Sequence, residues 1–161
     1  MEDIKGNAIE EDTQKGKFLT FILGKEVFGV EIKYVTEIIG MQKVTSIPEV
    51  PRFVKGIINL RGKIIPVIDV RLKFNKEEAE YNDRTCIIVV ELCNISVGLI
   101  VDNVEEVITI PEDSIIDPPS SRVGFDSEYI RSIGKVGNEV KILLDCEKLL
   151  RRDEACKLID L

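Results

Sequence analysis

The second half of this chain repeats the pattern of the first, and that repeat limits the folds open to it. Phe28-Gly29-Val30-Glu31-Ile32-Lys33-Tyr34-Val35-Thr36-Glu37-Ile38-Ile39 aligns with Val97-Gly98-Leu99-Ile100-Val101-Asp102-Asn103-Val104-Glu105-Glu106-Val107-Ile108, matching Gly, Val, Glu and Ile identically. The same offset of 69 residues sets Phe18–Leu23 on Ile87–Leu92. With seven further residues inserted, Phe53-Val54-Lys55 falls on Tyr129-Ile130-Arg131 and Ile64–Asp69 on Val140–Asp145. In that register Asn59-Leu60-Arg61-Gly62 falls on Lys135-Val136-Gly137-Asn138. Each half is only about 65–70 residues, near the lower limit for an independent core. Two such halves are expected to pack through a shared apolar face.

The local pattern within each half is that of short strands. Phe18–Leu23 is rich in β-forming residues and runs through Gly24-Lys25-Glu26 into Val27–Val30, which predicts a hairpin. Val35–Met41 predicts another strand. Val54–Asp69 predicts two apolar strands joined at Asn59-Leu60-Arg61-Gly62, where Gly62 supplies a positive φ. Short strands with Gly and Pro turns point to an all-β fold with one or two short helices, built as two five-stranded SH3-like barrels packed together. The expected boundaries are a disordered acidic tail over 1–16 and a folded unit over 17–152, then a C-terminal tail over 153–161. The folded unit divides into subdomains at about 17–75 and 84–145, separated by the polar stretch 75–84. A helix is predicted over 145–152, with Asp145 as N-cap, Leu149 and Leu150 inward, and Arg151 and Arg152 at its negative end.

Composition narrows the function. A net charge of −7 with no basic stripe argues against nucleic acid and against an anionic membrane surface. No apolar run approaches the length of a membrane span or a signal peptide, so a cytoplasmic protein without direct membrane insertion is expected. The chain holds no histidine, which removes the usual general base and the commonest metal ligand. Cys86, Cys93, Cys146 and Cys156 form no metal-binding spacing. No nucleotide loop is present, and Asp102-Asn103-Val104-Glu105-Glu106 lacks the alternating ligands of a calcium loop. Neither cofactor nor metal nor catalysis is expected, and the partners are expected to be proteins.

Two groups of residues stand out for docking. Arg61 sits at a turn tip between apolar strands, where its guanidinium either grips a partner's carboxylate or ties its own turn down. Val35, Ile38 and Ile39, and their counterparts Val104, Val107 and Ile108, are either core residues or a half-exposed strip. In a regular strand Val35, Glu37 and Ile39 share one face, and a face carrying a charge is not fully buried.

The run Phe53–Asp69 resembles the signature of the CheW family of chemotaxis coupling proteins, and Phe28–Ile32, Val97–Val104 and Ile142–Asp145 agree with it. The resemblance covers roughly 17–152. It implies the two-barrel fold and an adaptor that couples the cytoplasmic tip of methyl-accepting chemoreceptors to the regulatory domain of the histidine kinase CheA, itself of the same fold. It further implies that Ile32, Val35, Glu37, Gly56, Arg61 and Val107 serve receptor or kinase binding, and that Asp117–Ser127 borders a ring contact. Two alternatives stay open: a same-fold module of a CheA or CheV-like protein, and an enzyme using Cys93 or a carboxylate pair. The start at Met1 and the end just past the last predicted helix favour the coupling protein over a fragment.

Overall fold

The computed structural model describes residues 14–118 and 129–151. The expectations for residues 1–13, for 119–128 (most of Asp117–Ser127), for Arg152, Cys156 and the tail 153–161, and for the side chains of Leu150 and Arg151 lie outside the described residues. The strands of the first half are β1 (Lys17–Leu23), β2 (Glu26–Glu31), β3 (Val35–Gly40), β4 (Val54–Leu60) and β5 (Lys63–Asp69), followed by a single helical turn, α1 (Val70–Lys73). Those of the second are β6 (Cys86–Leu92), β7 (Ile95–Val101), β8 (Asn103–Thr109), β9 (Ile115–Ile116), β10 (Ile130–Val136) and β11 (Glu139–Leu144), followed by α2 (Cys146–Arg151). No helix among the described residues is long and apolar enough to cross a membrane.

Four antiparallel pairs close through two-residue turns: β1–β2, β4–β5, β6–β7 and β10–β11. Their first turn residues are Gly24, Arg61, Cys93 and Gly137, all left-handed at φ 64°, 52°, 53° and 62°. Such turns match the right-handed twist of the strands they join. At the β4–β5 tip, Gly62 follows at φ 87° and its N–H donates to Asn59 Oδ1 at 2.8 Å.

The duplication survives at the level of single residues. Leu19 lies opposite Val107, and Ile88 lies opposite Ile38. Gly29 runs parallel to Leu143 as Gly98 does to Val67. Both halves carry a bulge at the same place, between Val35 and Glu37 and between Val104 and Glu106. The helix starts match as well. Asp69 and Asp145 donate their N–H groups to Phe53 and Tyr129 at 2.7 and 2.8 Å. Their carboxylates accept from Leu72 and Lys148 N–H, which makes Asp145 the predicted cap.

The subdomains do not follow the sequence halves 17–75 and 84–145, however. The six-stranded sheet has the order β8-β1-β2-β11-β10-β9, and the five-stranded sheet β3-β6-β7-β5-β4. Each sheet therefore takes its central hairpin from the other half of the chain. The physical reason is edge satisfaction: a lone hairpin leaves a row of backbone donors and acceptors open on each side. Strands β8 and β11 fill the two edges of β1–β2, and β3 and β5 fill those of β6–β7. The sixth strand is the two-residue β9, which lies on β10.

The exchange builds one core between the sheets, where Leu19, Phe21, Phe28 and Val30 pack with Ile68, Ile88, Val90 and Leu99. The five-stranded sheet also encloses Ile58, Leu60, Ile65, Val67, Ile87, Val89 and Ile100. Among the described residues, the six-stranded sheet has a smaller buried apolar interior of its own, Phe18, Ile110 and Leu143. The five-stranded sheet closes where the chain after β3 meets β4: Thr45 and Ile57 exchange both backbone hydrogen bonds at 2.9 Å. Gly56 makes that approach possible, because a Cβ there would lie 2.0 Å from the Thr45 carbonyl oxygen and its φ is 144°.

Three features differ from expectation. Order begins before Lys17, since the Gly16 carbonyl accepts the Ile110 N–H at 2.9 Å. The helical turn α1 was not expected; it forms because Asp69 caps it and Val70 and Leu72 are buried. The polar stretch 75–84 is stapled to the body rather than hanging free. Tyr81 donates its hydroxyl to buried Asp69 at 2.8 Å, and Arg71 donates to the Glu77 carbonyl at 3.0 Å. Burial and the neighbouring Asp69 carboxylate push the Tyr81 phenol well above its usual range, so it stays a donor.

Arg71 also grips Asp102 through Nε and Nη2 at 2.8–3.0 Å, and Asp102 accepts the Gly24 N–H at 2.8 Å. Partial burial pushes the Asp102 carboxyl up, but the bonds from Arg71 and Gly24 outweigh it and leave it below the ordinary carboxylate range. A carboxyl that titrates lower when folded stabilises the protein above its unfolded pKa and loses that contribution as pH falls through the folded value. Asp102→Asn is therefore expected to cost about 1–3 kcal/mol at neutral pH, with the deficit shrinking as the pH falls through and below the ordinary carboxylate range. Urea unfolding at neutral and at acid pH measures it. Gly56→Ala is expected to cost about 3 kcal/mol or more, and a loss below about 1 kcal/mol would show that the Thr45 contact yields cheaply.

Candidate functional site

Arg61 takes a left-handed conformation that costs a residue with a Cβ roughly 1–2 kcal/mol. The equivalent turn in the second half has Gly137 at that position, in nearly the same conformation. The fold is thus served by glycine there, and the arginine is held against its own backbone preference. Its side chain is 70% exposed and its Nη2 donates to Glu37 Oε2. The pair ties the tip of the β4–β5 hairpin to β3, and Glu37, at 29% side-chain exposure, fixes the direction of the guanidinium. An exposed pair of this kind adds little to stability, commonly below about 1 kcal/mol. Its consequence is geometric: a planar cation with free N–H groups is presented at a fixed place on the surface.

Strand β3 carries the neighbouring residues, and its bulge alters the expected arrangement. Val35 lies opposite Val90 and Glu37 opposite Val89, so Thr36 is the extra residue. Val89 and Val90 are adjacent in β6 and point to opposite faces, which sets Val35 and Glu37 on opposite faces too. The expected single face of Val35, Glu37 and Ile39 is therefore corrected. Glu37 and Ile39 share the side facing the interior of the five-stranded sheet, while Val35 and Ile32 are half-buried against the core between the sheets. Ile38 stands 46% exposed beside Glu37.

Five of the six predicted residues thus lie in or beside the five-stranded sheet. Glu37 and Arg61 are in contact, Ile32 and Val35 lead into β3, and Gly56 sits in the closure of the same sheet. Val107 is in the other sheet: it is the counterpart of Ile38 on β8, and 53% exposed. Ile64 and Val140, counterparts of each other, are also exposed and were not singled out in advance. The offset between the halves held a signal, since an apolar residue recurs at the same place beside the hairpin turn in both. A groove of about 1240 Å³ opens beside Phe18, Ile110, Leu143, Lys33 and Arg131, and none of the six predicted residues lines it.

Two of the cysteines, Cys86 and Cys146, are held as neutral thiols. Burial pushes the Cys86 thiol up, and that of Cys146 to about 12. Cys93 is exposed at the left-handed first position of the β6–β7 turn. Glu105 and Glu106, the adjacent carboxylates, lie at the β8 bulge, with Glu105 near Lys141 and Thr20.

Comparison with known proteins agrees with this geometry. The family model described as "CheW-like domain" matches residues 17–154. The Chemotaxis protein CheW of Klebsiella aerogenes is 39% identical over 143 residues, covering 89% of this chain and 86% of that protein. That of Treponema pallidum is 36% identical over 151 residues, covering 90% and 88%. The crystal structure of the scaffolding protein TtCheW from Thermoanaerobacter tengcongensis superposes with a TM-score of 0.78 at 38% identity, covering 86% of this chain and 94% of that one. Its fold, its duplicated strand order and these relatives agree that the chain belongs to the CheW family of chemotaxis scaffold proteins.

Proposed function

We propose that this protein is a non-enzymatic cytoplasmic adaptor that joins the tip of a methyl-accepting chemoreceptor to the regulatory domain of the histidine kinase CheA. The observation that carries this reading is Arg61, a strained and exposed arginine aimed by Glu37 at a position where the other half of the molecule has glycine. Strain kept in one repeat and absent from the other points to use of the side chain rather than to need of the fold.

The receptor tip is a helical hairpin, and such a partner is taken by an apolar strip with a charged rim. Ile32, Val35 and Ile38 supply apolar surface around β3, Glu37 and Arg61 supply the rim, and Gly56 keeps the adjoining backbone close. Arg61 keeps N–H groups to spare beyond its bond to Glu37, and a receptor carboxylate or carbonyl is a fitting acceptor. Val107 belongs to a second contact on the six-stranded sheet, which serves the kinase. One rigid body with receptor and kinase contacts on different sheets transmits motion by packing alone. The relatives' names agree with an adaptor role, since one is called a scaffolding protein and others chemotaxis proteins.

Arg61→Gly separates binding from folding. It relieves about 1–2 kcal/mol of backbone strain against the loss of a surface pair worth less than about 1 kcal/mol. The variant is expected to be as stable as the parent or more so. Its affinity for a receptor tip hairpin, followed by NMR titration, is expected to fall about tenfold or more. Unchanged receptor affinity in the folded variant would remove Arg61 from the site. A parent protein that binds neither receptor tip nor CheA would sink the adaptor reading.

A further inference from the structure

The interior of the six-stranded sheet contains a lysine that its own duplicate does without. Lys141 is 2% exposed, and its counterpart in the other half is Ile65, equally buried in an apolar core. Its Nζ lies 2.8 Å from Glu139 Oε2 and 3.5 Å from Glu105 Oε2. The Thr20 hydroxyl is 3.2 Å from the same Glu105 oxygen and 2.9 Å from the Glu106 carbonyl oxygen. The counterparts of Thr20, Glu105 and Glu139 are Val89, Thr36 and Lys63, so the whole cluster is particular to this half. The bond to Glu139 holds the Lys141 ammonium above its usual pKa, so it is charged.

The barrel does not need this arrangement, because Ile65 fills the same position in the other sheet. Replacing buried ionic groups by apolar ones of similar volume is commonly neutral or stabilising. What the cluster does is tie two strands at the rim. Glu105 is on β8 and Glu139 on β11, and one ammonium holds both carboxylates in place. Glu106 is beside Glu105, exposed Val107 follows Glu106, and exposed Val140 follows Glu139. The equivalent rim of the other sheet carries Arg61 and Lys63 with Glu37, Ile38 and Ile64, and Glu37 is paired with Arg61. Two ends built on one plan thus differ in charge: three carboxylates to one ammonium in one, one carboxylate to two cations in the other.

We infer that Lys141 is a positioning residue that presets Glu105 and Glu139 as an acidic rim and thereby makes this end of the molecule specific for a partner surface presenting cations beside an apolar contact. The inference rests on the adaptor reading and assigns this end to CheA rather than to the receptor. The lysine acts through the carboxylates it holds and does not itself touch the partner. Fixed carboxylates meet a cationic surface without the ordering cost that free glutamate side chains incur.

Binding of full-length CheA and of the receptor tip hairpin to the whole protein, at low and moderate salt, tests this together with urea unfolding. Lys141→Met makes the rim more negative by one charge, so charge alone predicts tighter CheA binding. Positioning predicts the reverse: affinity for CheA falls about tenfold and depends less on salt, Lys141→Arg stays within about twofold of the parent, and receptor affinity is unchanged. If Lys141→Met does not fold, the triple variant Thr20→Val, Glu105→Thr, Lys141→Ile copies the packing of the other half and is expected to fold and to lose CheA affinity likewise. CheA binding that is unchanged or tighter in the folded variant overturns the inference and leaves the adaptor reading standing. So does an equal loss of receptor binding, which marks the cluster as support for the whole fold. A parent protein with no affinity for CheA overturns both.

Discussion

The exchange of hairpins between the two halves is the constraint on which the rest of the structure depends. Strands β1 and β2 have no sheet of their own; their edges are filled by β8 and β11 from the other end of the chain. The same is true of β6 and β7 between β3 and β5. Neither half is therefore a folding unit, and the core between the sheets cannot form until both are present. Pairings of this kind join residues about 30–115 apart in sequence, from Val67 with Gly98 through Leu19 with Val107 to Phe28 with Ile142. Such long closures are entropically costly and slow to form. Once made, they lock the two sheets into a single body, which is what a scaffold protein needs if its surfaces are to keep fixed relative positions.

Much of this was legible in the residues. Hairpin turns, strand runs and the Asp145 cap follow from local chemistry, because a two-residue turn, a β-branched run and an N-cap each act within a few residues. The duplication was legible too, down to offsets that the strand register reproduces. The exchange was not. Pairing β1 with β8 rather than with β3 leaves every local pattern unchanged, since β3 and β8 carry the same repeat and offer nearly the same apolar faces. The bulge at Thr36 was equally invisible, because alternation looks regular in sequence whether or not one residue is skipped. The helical turn α1 escaped because it is one turn long and depends on Asp69, which also anchors Tyr81 from the far side of the polar stretch.

The candidate site was legible in its parts but not in its arrangement. Arg61 stood out as a turn arginine, and Glu37 as a charge on an apolar strand. That the two touch depends on how the five-stranded sheet closes, with the chain at Thr45 lying against Gly56. Gly56 is a residue whose absence of a side chain matters more than its presence on any surface. Its effect on Arg61 and Glu37 is indirect, through the closure that brings the β4–β5 tip to β3. Val107 could be read as core or surface from sequence; it lies on β8, an edge strand of the six-stranded sheet, and is exposed there.

A duplicated fold offers an internal control that single domains lack. Where both halves agree, as at the bulges, the helix caps and the parallel Gly29 and Gly98 contacts, the residue choice answers to the architecture. Where they disagree without a change in backbone, the architecture has been satisfied by the other half and the difference needs another cause. Arg61 against Gly137 is one such place, and Lys141 against Ile65 is another. In each the departing residue is the worse choice for folding: a side chain in a left-handed turn, and a charge in a barrel interior. Local rules are broken at positions where something beyond the fold is being selected. The two departures lie in different sheets, so the molecule that began as a repeat presents two ends that are alike in backbone and unlike in chemistry.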